Sequence, residues 1–393
     1  MSDKAAFRLA VVAGEESGDL LGADLVAALK RLSGRPVELV GIGGRHLAAH
    51  GLKSLFSADE IAIMGFSAVL RDLPRLIRRI GQTARAIVVS KPDCVITIDS
   101  PDFSLRVARK IRAADPSIPI VHYVCPSVWA WRPGRAAAMR PHVDHVLCLL
   151  PFEPEELRRL GGPEGTFVGH RLMSDPNIRE AALAQLTGQE RGERKKLLLL
   201  PGSRRGEVRR LIGPFGATVA ALKAAQHDFD LLLPTVPHLV PLIEAAVGDW
   251  PLKPEIILDP ERKWSAFAEA DAALACSGTV ALELALARVP FVSCYKTDAI
   301  GAVLGPLLIK AWSGSLPNLI AGWPVVPEFF NEFVRPAYLA RLLPRLWDDT
   351  PTRLAQREGF AEVAAALAVP KPSGEMAAEV VLGMCERRRA RSA

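Results

Sequence analysis

The chain has 393 residues, which exceeds the usual size of a single hydrophobic core, so we expect two domains. Its 49 Lys and Arg residues outnumber 43 Asp and Glu residues, and the net charge of +6 favours an anionic ligand or membrane surface. Aromatic residues make up only 6% and do not interleave with basic ones, a composition that argues against a nucleic-acid partner.

The six cysteines lie far apart in the sequence and form no Cys-x-x-Cys or Cys/His metal-ligand pattern. We interpret them as small core residues in a reducing compartment, and we predict no metal and no cofactor. The first apolar run, Phe7 to Ala13, is short and precedes acidic residues, so it is predicted to be a strand and not a signal peptide. Since no apolar stretch is long enough to cross a bilayer, the protein is expected to be cytosolic or peripherally bound to a membrane.

The chain opens with a pattern typical of a doubly wound parallel sheet. The predicted strand Phe7 to Ala13 runs into the polar loop Gly14 to Asp19, and a helix follows. The GxGxxG spacing of dinucleotide-binding folds is absent from this loop. The next predicted strand, Val37 to Gly41, is followed by Gly43 and Gly44. Two glycine-containing loops at one sheet edge suggest a ligand cleft, although glycine at strand ends is also common in ordinary turns.

From residue 66 to residue 80 the apolar residues recur at the spacing of an amphipathic helix, with four arginines among them and a kink or break expected at Pro74. The pattern alone favours a helix that faces the core and has a solvated basic surface. The alternative is a helix that presents apolar side chains and arginines to an anionic membrane or an acylated substrate. The apolar positions, here called the apolar stripe, are Phe66, Val69, Leu70, Leu73, Leu76, Ile77 and Ile80.

Asp99 directly follows the predicted buried strand Cys94 to Ile98, at the strand end where catalytic groups lie on parallel sheets. A carboxylate there can accept a proton from a hydroxyl nucleophile, whereas the nearby Asp102 is better explained as a cap of the following helix. A further predicted strand, Ile118 to Val124, leads into a loop with Trp129 and a second tryptophan. This loop could hold a sugar phosphate by stacking, or it could pack a domain interface.

The predicted strand Leu197 to Leu200 ends in a loop with the features of an anion site. In this loop, Pro201 to Glu207, Arg204 adds a guanidinium to the backbone N–H groups of a helix start. Such a loop could bind a diphosphate with two hydrogen bonds from the arginine.

A second anion-type turn, Ser277-Gly278-Thr279, lies between the predicted strand Ala272 to Ala275 and the predicted helix Val280 to Ala287. Gly278 lets the backbone approach a ligand, and the helix start offers unpaired N–H groups and roughly half a positive charge. Glu283, one turn further on, is well placed to accept hydrogen bonds from the hydroxyls of a ribose. An ordinary N-cap followed by a solvated Glu would explain this turn taken alone. Two such loops in one domain favour a nucleotide diphosphate.

We predict an α/β fold with two doubly wound Rossmann-like domains that face each other across a cleft, the GT-B glycosyltransferase architecture. The polar segment 173–194 is interpreted as a linker between two domains, 1–172 and 195–345, of which the second holds the nucleotide site. This glycosyltransferase architecture implies that domain 1–172 binds the acceptor and domain 195–345 the UDP-sugar. Residues 346–393 are expected to form helices that cross back to the first domain.

Seven motifs occur in order between residue 7 and residue 322. They are GEESGD at Gly14 to Asp19, MGF at Met64 to Phe66, IDSPDF at Ile98 to Phe103, HYVCPSVWAWR at His122 to Arg132, PGSRRGE at Pro201 to Glu207, SGTVALE at Ser277 to Glu283, and SLPNLIAG at Ser315 to Gly322. In identity, order and spacing they resemble the lipid A disaccharide synthase family. Cys125 departs from the family pattern, in which a serine is expected.

This resemblance implies an inverting transfer of 2,3-diacylglucosamine from its UDP conjugate to the 6-hydroxyl of 2,3-diacylglucosamine 1-phosphate, lipid X. The product would be the β-1,6-linked lipid A disaccharide 1-phosphate, with UDP released. Asp99 is then the general base, and Arg204 with the turn Ser277 to Thr279 stabilises the departing diphosphate without a metal. Glu283 is expected to hold the ribose and Asn318 to line the donor site.

The resemblance also assigns Glu15, Ser17 and Trp129 to the acceptor or sugar side of the site. The apolar stripe is then interpreted as a surface for acyl chains or for the membrane. The net positive charge is interpreted as a source of attraction to anionic lipid at the cytoplasmic face of the inner membrane. A homodimer is left open. The alternatives are another UDP-sugar enzyme of the same architecture, such as a UDP-N-acetylglucosamine epimerase, or a non-catalytic nucleotide- or lipid-binding protein at the membrane.

Overall fold

The chain forms two compact units. Unit 1 comprises Met1–Arg171 and Val369–Ala393, and unit 2 comprises Leu172–Ala368. The computed structural model describes residues 5–61, 66–188, 194–298, 301, 305 and 308–392, without the side chains of residues 59, 66–73, 389, 391 and 392.

Unit 1 is built on a parallel sheet with helices between successive strands. In chain order its first elements are β1 (Phe7–Ala13), α1 (Glu16–Ser33), β2 (Val37–Ile42), α2 (Arg45–Ala49), a 3-10 turn (Ala58–Glu60), α3 (Phe66–Ser90), β3 (Cys94–Ile98), α4 (Pro101–Ala114), β4 (Ile120–Tyr123), α5 (Gly134–Met139), β5 (His145–Cys148), α6 (Glu153–Arg159), β6 (Glu164–Phe167) and a 3-10 turn (Arg171–Ser174). Among the described residues, the sheet has the order β2-β1-β3-β4-β5-β6.

The central strands of this sheet are apolar on both faces, as strands covered by helices on each side require. Val11, Ile96 and Val121 on β1, β3 and β4 have no solvent exposure. The parallel register places Ala13 beside Ile98. Strands β1 and β3 therefore end side by side, and the loops after them share one edge of the sheet.

Unit 2 repeats this organisation. Its elements are α7 (Pro176–Thr187), β7 (Lys195–Leu200), α8 (Arg205–Ala224), β8 (Phe229–Pro234), a 3-10 turn (Pro237–Leu239), α9 (Val240–Val247), β9 (Glu255–Ile257), α10 (Pro260–Glu269), β10 (Ala272–Cys276), α11 (Thr279–Leu286), β11 (Phe291–Tyr295), α12 (Leu316–Ala321), β12 (Glu328–Phe330), a 3-10 turn (Asn331–Phe333), α13 (Pro336–Leu342), α14 (Pro344–Trp347) and α15 (Pro351–Ala366). Within the described residues its parallel sheet has the order β12-β11-β10-β7-β8-β9.

The last helix, α16 (Ser373–Ser392), is part of unit 1. Its Ala378 and Val381 are fully buried in the same apolar cluster as Leu25 of α1. At its N-terminal end Glu375 accepts a hydrogen bond from Arg31 at 2.7 Å. The C-terminal segment therefore completes the core of unit 1.

The segment that the sequence suggested to be a linker contains helix α7. Gln185 on this helix is buried and donates hydrogen bonds to the carbonyl oxygens of Phe267, Ala268 and Ala270 at 3.0, 3.0 and 2.7 Å. Helix α7 is thus an integral part of unit 2. Apart from Gln185 its buried face consists of a single isoleucine and one alanine, which is too narrow to stand out in the sequence.

Two local expectations differ from the structure. Helix α3 is continuous through Pro74, so the break expected there does not occur. Asp102 does not cap α4, because it lies in the first turn and forms an ion pair with Arg135 at 2.7 Å, while Ser100 occupies the N-cap position. In the part of the chain that the structure describes, no helix is both long and apolar enough to cross a membrane.

Candidate active site

Asp99 lies at the carboxyl end of β3, after five buried strand residues. Asp99 and Ser100 both have positive φ angles, 51° and 42°, which residues other than glycine adopt rarely and at a cost in energy. A hydrogen bond from Asp99 N to Tyr123 O, 2.9 Å long, holds the backbone in place. Two successive strained residues at the end of a central strand indicate a position constrained by function.

The carboxyl group of Asp99 is a stronger base than an exposed aspartate. Burial raises its pKa, and the hydrogen bond that Oδ1 accepts from Ser100 N at 2.8 Å opposes this only in part. Among the described residues, no charged side chain contributes to the shift. The environment thus favours proton uptake by Asp99.

Glu15 and Ser17 lie on the same sheet edge as Asp99. They belong to the loop and first helical turn after β1, and Ser17 is exposed. The adjoining Gly14 is so close to the β3 loop that a Cβ on it would lie 3.3 Å from Ser100 Oγ. The structure therefore brings these predicted acceptor-side residues near Asp99.

The second glycine loop of unit 1, Gly43-Gly44, has a structural explanation. The buried carboxylate of Asp19 accepts hydrogen bonds from Gly44 N and His46 N, both at 2.7 Å, so these N–H groups are not available to a ligand. A Cβ on Gly44 would lie 2.8 Å from Asp19 Oδ2, which favours glycine there. For this loop the ordinary-turn interpretation is the better one.

Glu153 is a buried carboxylate whose role was not apparent from the sequence. Its Oε2 accepts hydrogen bonds from Leu149 N and Leu150 N, both at 3.0 Å, and its Oε1 accepts one from Trp129 Nε1 at 3.3 Å. The Trp129 ring also packs edge-on against Phe152, with 5.3 Å between centroids. Burial raises the pKa of Glu153 to about 7, although these hydrogen bonds oppose the rise. Trp129 is thus held in place by Glu153 and Phe152, which both belong to unit 1.

Trp131 is the more exposed tryptophan of the loop after β4. Its side chain is 40% exposed, and the guanidinium of Arg132 lies 4.2 Å from the ring centroid. Arg132 also has a positive φ of 51°. Stacking on a sugar phosphate, expected for this loop, fits Trp131 better than Trp129.

All six cysteines are buried and none forms a disulfide, as expected for core residues. Cys125, Cys148 and Glu153 each place one potential metal ligand within 4.8 Å of the others. The hydrogen bond with Cys148 and burial raise the pKa of the Cys125 thiol, which disfavours the thiolate that a metal requires. Because the oxygens of Glu153 already accept three N–H bonds, we interpret this cluster as core packing.

Unit 2 has a cavity of about 650 Å³ at the carboxyl edge of its sheet, within the range of small-molecule sites. Its walls include the last residues of five strands, Leu200, Pro234, Ile257, Cys276 and Tyr295. The walls also contain five of the six residues predicted for the donor site, namely Arg204, Ser277, Gly278, Thr279 and Glu283.

The turn before α11 is built as an anion site. No side chain among the described residues caps the N-terminus of this helix. Gly278 has φ 153° and ψ −161°, a conformation essentially restricted to glycine, and its Cβ position faces open space. Uncapped N–H groups and the helix dipole therefore favour a negatively charged ligand at this turn.

The loop before α8 differs from the expectation. Glu207 Oε2 accepts hydrogen bonds from Ser203 N and Arg204 N, both at 3.2 Å, so a carboxylate of the protein occupies these N–H groups. The Arg204 side chain is 67% exposed and lies on the cavity wall. The guanidinium therefore supplies positive charge to this loop, whereas the N–H groups of Ser203 and Arg204 are taken by Glu207.

Glu283 is paired with Lys263, which was not recognised from the sequence. Lys263 Nζ lies 2.7 Å from Glu283 Oε2 and 4.4 Å from the Trp264 ring centroid. Both charged residues line the cavity. A lysine 20 positions before Glu283, on a different helix, gives no sequence signal of this pairing.

Asn318 is not part of the described cavity wall, contrary to the expectation. It is 1% exposed, and its amide accepts from Val326 N at 2.7 Å and donates to Val326 O at 3.0 Å and to Glu328 Oε2 at 3.2 Å. Glu328 Oε1 in turn accepts a hydrogen bond from Gly314 N at 3.1 Å, and Gly314 O accepts one from Ser277 Oγ at 2.8 Å. Asn318 thus supports the donor turn through the intervening loop.

The apolar stripe is described only in part. Its described end turns from solvent to core, since Ile77 is 54% and Ile80 is 3% exposed. Arg75 and Arg79 form ion pairs with Glu60 at 2.7 and 2.8 Å, which neutralises part of the basic face. The side chains that lie outside the described residues are those of Phe66, Val69, Leu70 and Leu73.

Comparison with known proteins decides the family. A family model described as lipid-A-disaccharide synthetase matches residues 9–363. The lipid-A-disaccharide synthase of Rhodopseudomonas palustris (strain HaA2) is 50% identical over 383 residues, with 97% of each chain covered. That of Nitrobacter hamburgensis is 47% identical over 380 residues, with 95% of each chain covered.

The chain belongs to the lipid-A-disaccharide synthetase family. The resemblance carried by the seven motifs is thereby confirmed, as is the prediction of a glycosyltransferase of lipid A biosynthesis.

Solved structures with a similar fold share little sequence with the chain. UDP-N-acetylglucosamine 2-epimerase from Neisseria meningitidis, bound to UDP-GlcNAc, gives a TM-score of 0.58 at 12% identity and covers 98% of this chain and 100% of that one. Acinetobacter baumannii MurG gives 0.56 at 14% identity, with 98% and 100% covered. The calicheamicin glycosyltransferase CalG4 gives 0.55 at 15% identity, with 99% and 100% covered. These similarities confirm the GT-B type of α/β fold.

Proposed function

We propose that the protein transfers 2,3-diacylglucosamine from its UDP conjugate to the 6-hydroxyl of 2,3-diacylglucosamine 1-phosphate, with inversion at the anomeric carbon and release of UDP. The observation that carries this proposal is the uncapped, glycine-dependent helix start on the unit 2 cavity, in a chain of this family. The similarity to epimerase structures concerns the fold alone.

The UDP of the donor is proposed to bind in the unit 2 cavity. The N–H groups at the start of α11 and the guanidinium of Arg204 would hold the diphosphate. Glu283 would accept hydrogen bonds from the ribose hydroxyls, with Lys263 fixing one of its oxygens at 2.7 Å. The solved Neisseria meningitidis epimerase of similar fold is described as bound to UDP-GlcNAc, which supports a UDP-sugar as the ligand class.

Asp99 is proposed as the general base. Its carboxylate takes the proton of the acceptor 6-hydroxyl while that oxygen forms a bond to the anomeric carbon of the donor. The bond from this carbon to the β-phosphate oxygen breaks, and UDP leaves with the electron pair. Arg204 and the N–H groups at Thr279 stabilise the charge that develops on the diphosphate. The raised pKa of Asp99 supports its role as proton acceptor.

Since both proposed substrates carry acyl chains, we place the protein at the cytoplasmic face of the inner membrane, bound peripherally. The net charge of +6 would attract anionic lipid. The exposed Ile77 on the arginine-rich helix α3 supports a contact through the apolar stripe.

The proposal is tested by measuring UDP release from UDP-2,3-diacylglucosamine by the purified protein, with and without 2,3-diacylglucosamine 1-phosphate. We expect release that requires both acylated substrates. Release without the acceptor would instead indicate a hydrolase or an epimerase-like activity. Binding of UDP without any release would indicate a non-catalytic protein.

A further inference from the structure

Unit 2 exposes a group of large apolar side chains, here called the apolar rim, formed by Leu308, Ile309, Trp312 and Phe330. Leu308, Ile309 and Trp312 are 55%, 56% and 58% exposed, and Phe330 is 39% exposed. In the sequence this group is preceded by a run without any charged residue, from Ala299 to Leu307. Single exposed apolar residues need no explanation, but three large apolar side chains exposed within the five residues from 308 to 312 indicate a candidate binding surface.

The apolar rim is linked to the donor turn through Gly314. Gly314, two residues after Trp312, accepts the hydrogen bond from Ser277 Oγ through its carbonyl oxygen at 2.8 Å. A Cβ on Gly314 would lie 3.2 Å from the Phe330 ring, so this ring packs on the same loop. Glu328 fixes the loop by accepting a hydrogen bond from Gly314 N at 3.1 Å. Gly314 therefore links Phe330, and along the chain Trp312, to the turn on the cavity wall.

We propose that the apolar rim binds the fatty acyl chains of the sugar-nucleotide donor. This inference rests on the proposed function, since only an acylated donor brings such chains to the cavity. A donor whose diphosphate lies at the α11 turn carries its acyl groups on the sugar next to that diphosphate. Two rim residues are near Gly314, which contacts this turn: Phe330 packs on it and Trp312 precedes it by two positions. Each methylene that the rim removes from water strengthens binding about fourfold.

The test compares two donors, UDP-2,3-diacylglucosamine with long chains and an analogue with two short acyl chains, both in detergent micelles. The variant Leu308→Ser/Ile309→Ser/Trp312→Ser removes the aliphatic and indole surface of the rim. The matched control is Leu183→Ser/Leu186→Ser, because these leucines of α7 are 61% and 53% exposed in the same unit and lie far in the sequence from Ser277 and Gly314. UDP affinity of each variant, measured by calorimetry, reports whether the nucleotide site is intact.

We expect the ratio of kcat/KM for the long-chain donor over the short-chain donor to fall about tenfold or more in the rim variant. UDP affinity should stay within about twofold of the wild type, and the α7 control should keep the wild-type ratio. An unchanged ratio in the rim variant would overturn the inference, as would a loss of UDP affinity of the same size as the loss of activity. A variant that keeps its ratio in micelles but no longer binds anionic lipid vesicles would show that the rim contacts the bilayer instead. If the wild-type protein released UDP from neither donor, the proposed function itself would fail.

Discussion

Asp99 owes its expected reactivity to the protein around it. The strained backbone, with φ 51°, is held by the adjoining strand, and burial raises the pKa of the carboxyl group. Asp102, three positions later, is instead paired with Arg135 at 2.7 Å. Two carboxylates on one sheet edge thus have different environments, which favour Asp99 over Asp102 as the proposed base.

We expect Asp99→Ala to lower kcat by about 10²-fold or more, since a positioned general base contributes about this much. UDP affinity should change little, because Asp99 belongs to unit 1 and the donor cavity to unit 2. Steady-state kinetics and calorimetry with UDP measure the two effects. Asp102→Ala is the control and should keep kcat within a few-fold of the wild type. A near-normal rate for Asp99→Ala would remove it from the base role.

Glu153 should make the stability of the protein depend on pH. Its pKa is about 7 in the folded protein against 4.5 for an ordinary glutamate, so the folded state retains a proton that the unfolded chain releases in between. The free energy of unfolding therefore falls as pH rises from about 4.5 to about 7, by up to about 3 kcal/mol from this group.

In Glu153→Gln this slope should disappear, because glutamine does not titrate. Urea unfolding at pH 5 and pH 7.5 gives the free energy of unfolding of wild type and variant. The contribution of Glu153 is the change in the difference between the two proteins from one pH to the other. An identical pH dependence of the two proteins would show that Glu153 is ionised in the folded state across this range.

Two helices of unit 2 begin at the same cavity but differ in their N-termini. At α8, Glu207 accepts the N–H groups of Ser203 and Arg204 at 3.2 Å. At α11 no side chain among the described residues accepts a hydrogen bond from the N–H groups at the helix start. A helix start that the protein leaves open on a cavity is available for a ligand, whereas a helix start that the protein caps is not.

We expect Gly278→Ala to weaken UDP binding about tenfold or more. Alanine is strained by about 1–3 kcal/mol at φ 153°, so the turn must rearrange although the Cβ meets open space. Gly81→Ala is the control, since Gly81 lies inside α3 with its nearest neighbour, Arg85 Nη1, 4.0 Å from the Cβ position. Calorimetry with UDP decides the matter, and equal affinities for the two variants would contradict the assignment of the turn.

The central strands were predictable from the sequence because burial on both faces leaves a continuous apolar run. The bounds of β1 and β3 match the predicted strands residue for residue. Helix α7 was missed because its anchor, Gln185, is polar and its hydrogen-bond partners lie at the C-terminal end of α10, more than 80 positions away. An interaction of this kind depends on residues far apart in the chain and leaves no local pattern.

Across the whole chain, some site residues could be predicted from a local sequence motif, whereas contacts between residues distant in the sequence could not. Gly278 was recognisable because a glycine at a helix start has a known physical use. Lys263 and Glu153 were not, since the first pairs with a residue 20 positions away and the second with Trp129, 24 positions away. Asn318 was assigned to the cavity by resemblance, but its buried amide forms hydrogen bonds with the backbone N–H and carbonyl oxygen of Val326. The sequence motifs therefore predicted the region of the site more accurately than they predicted the contacts of each side chain.

The anomeric configuration and linkage of the product test the proposed reaction most directly. NMR of the disaccharide formed from UDP-2,3-diacylglucosamine and 2,3-diacylglucosamine 1-phosphate gives both. A single displacement with Asp99 as base predicts one product with a β-1,6 linkage. An α linkage, a bond to another hydroxyl, or free diacylglucosamine as the main product would contradict it.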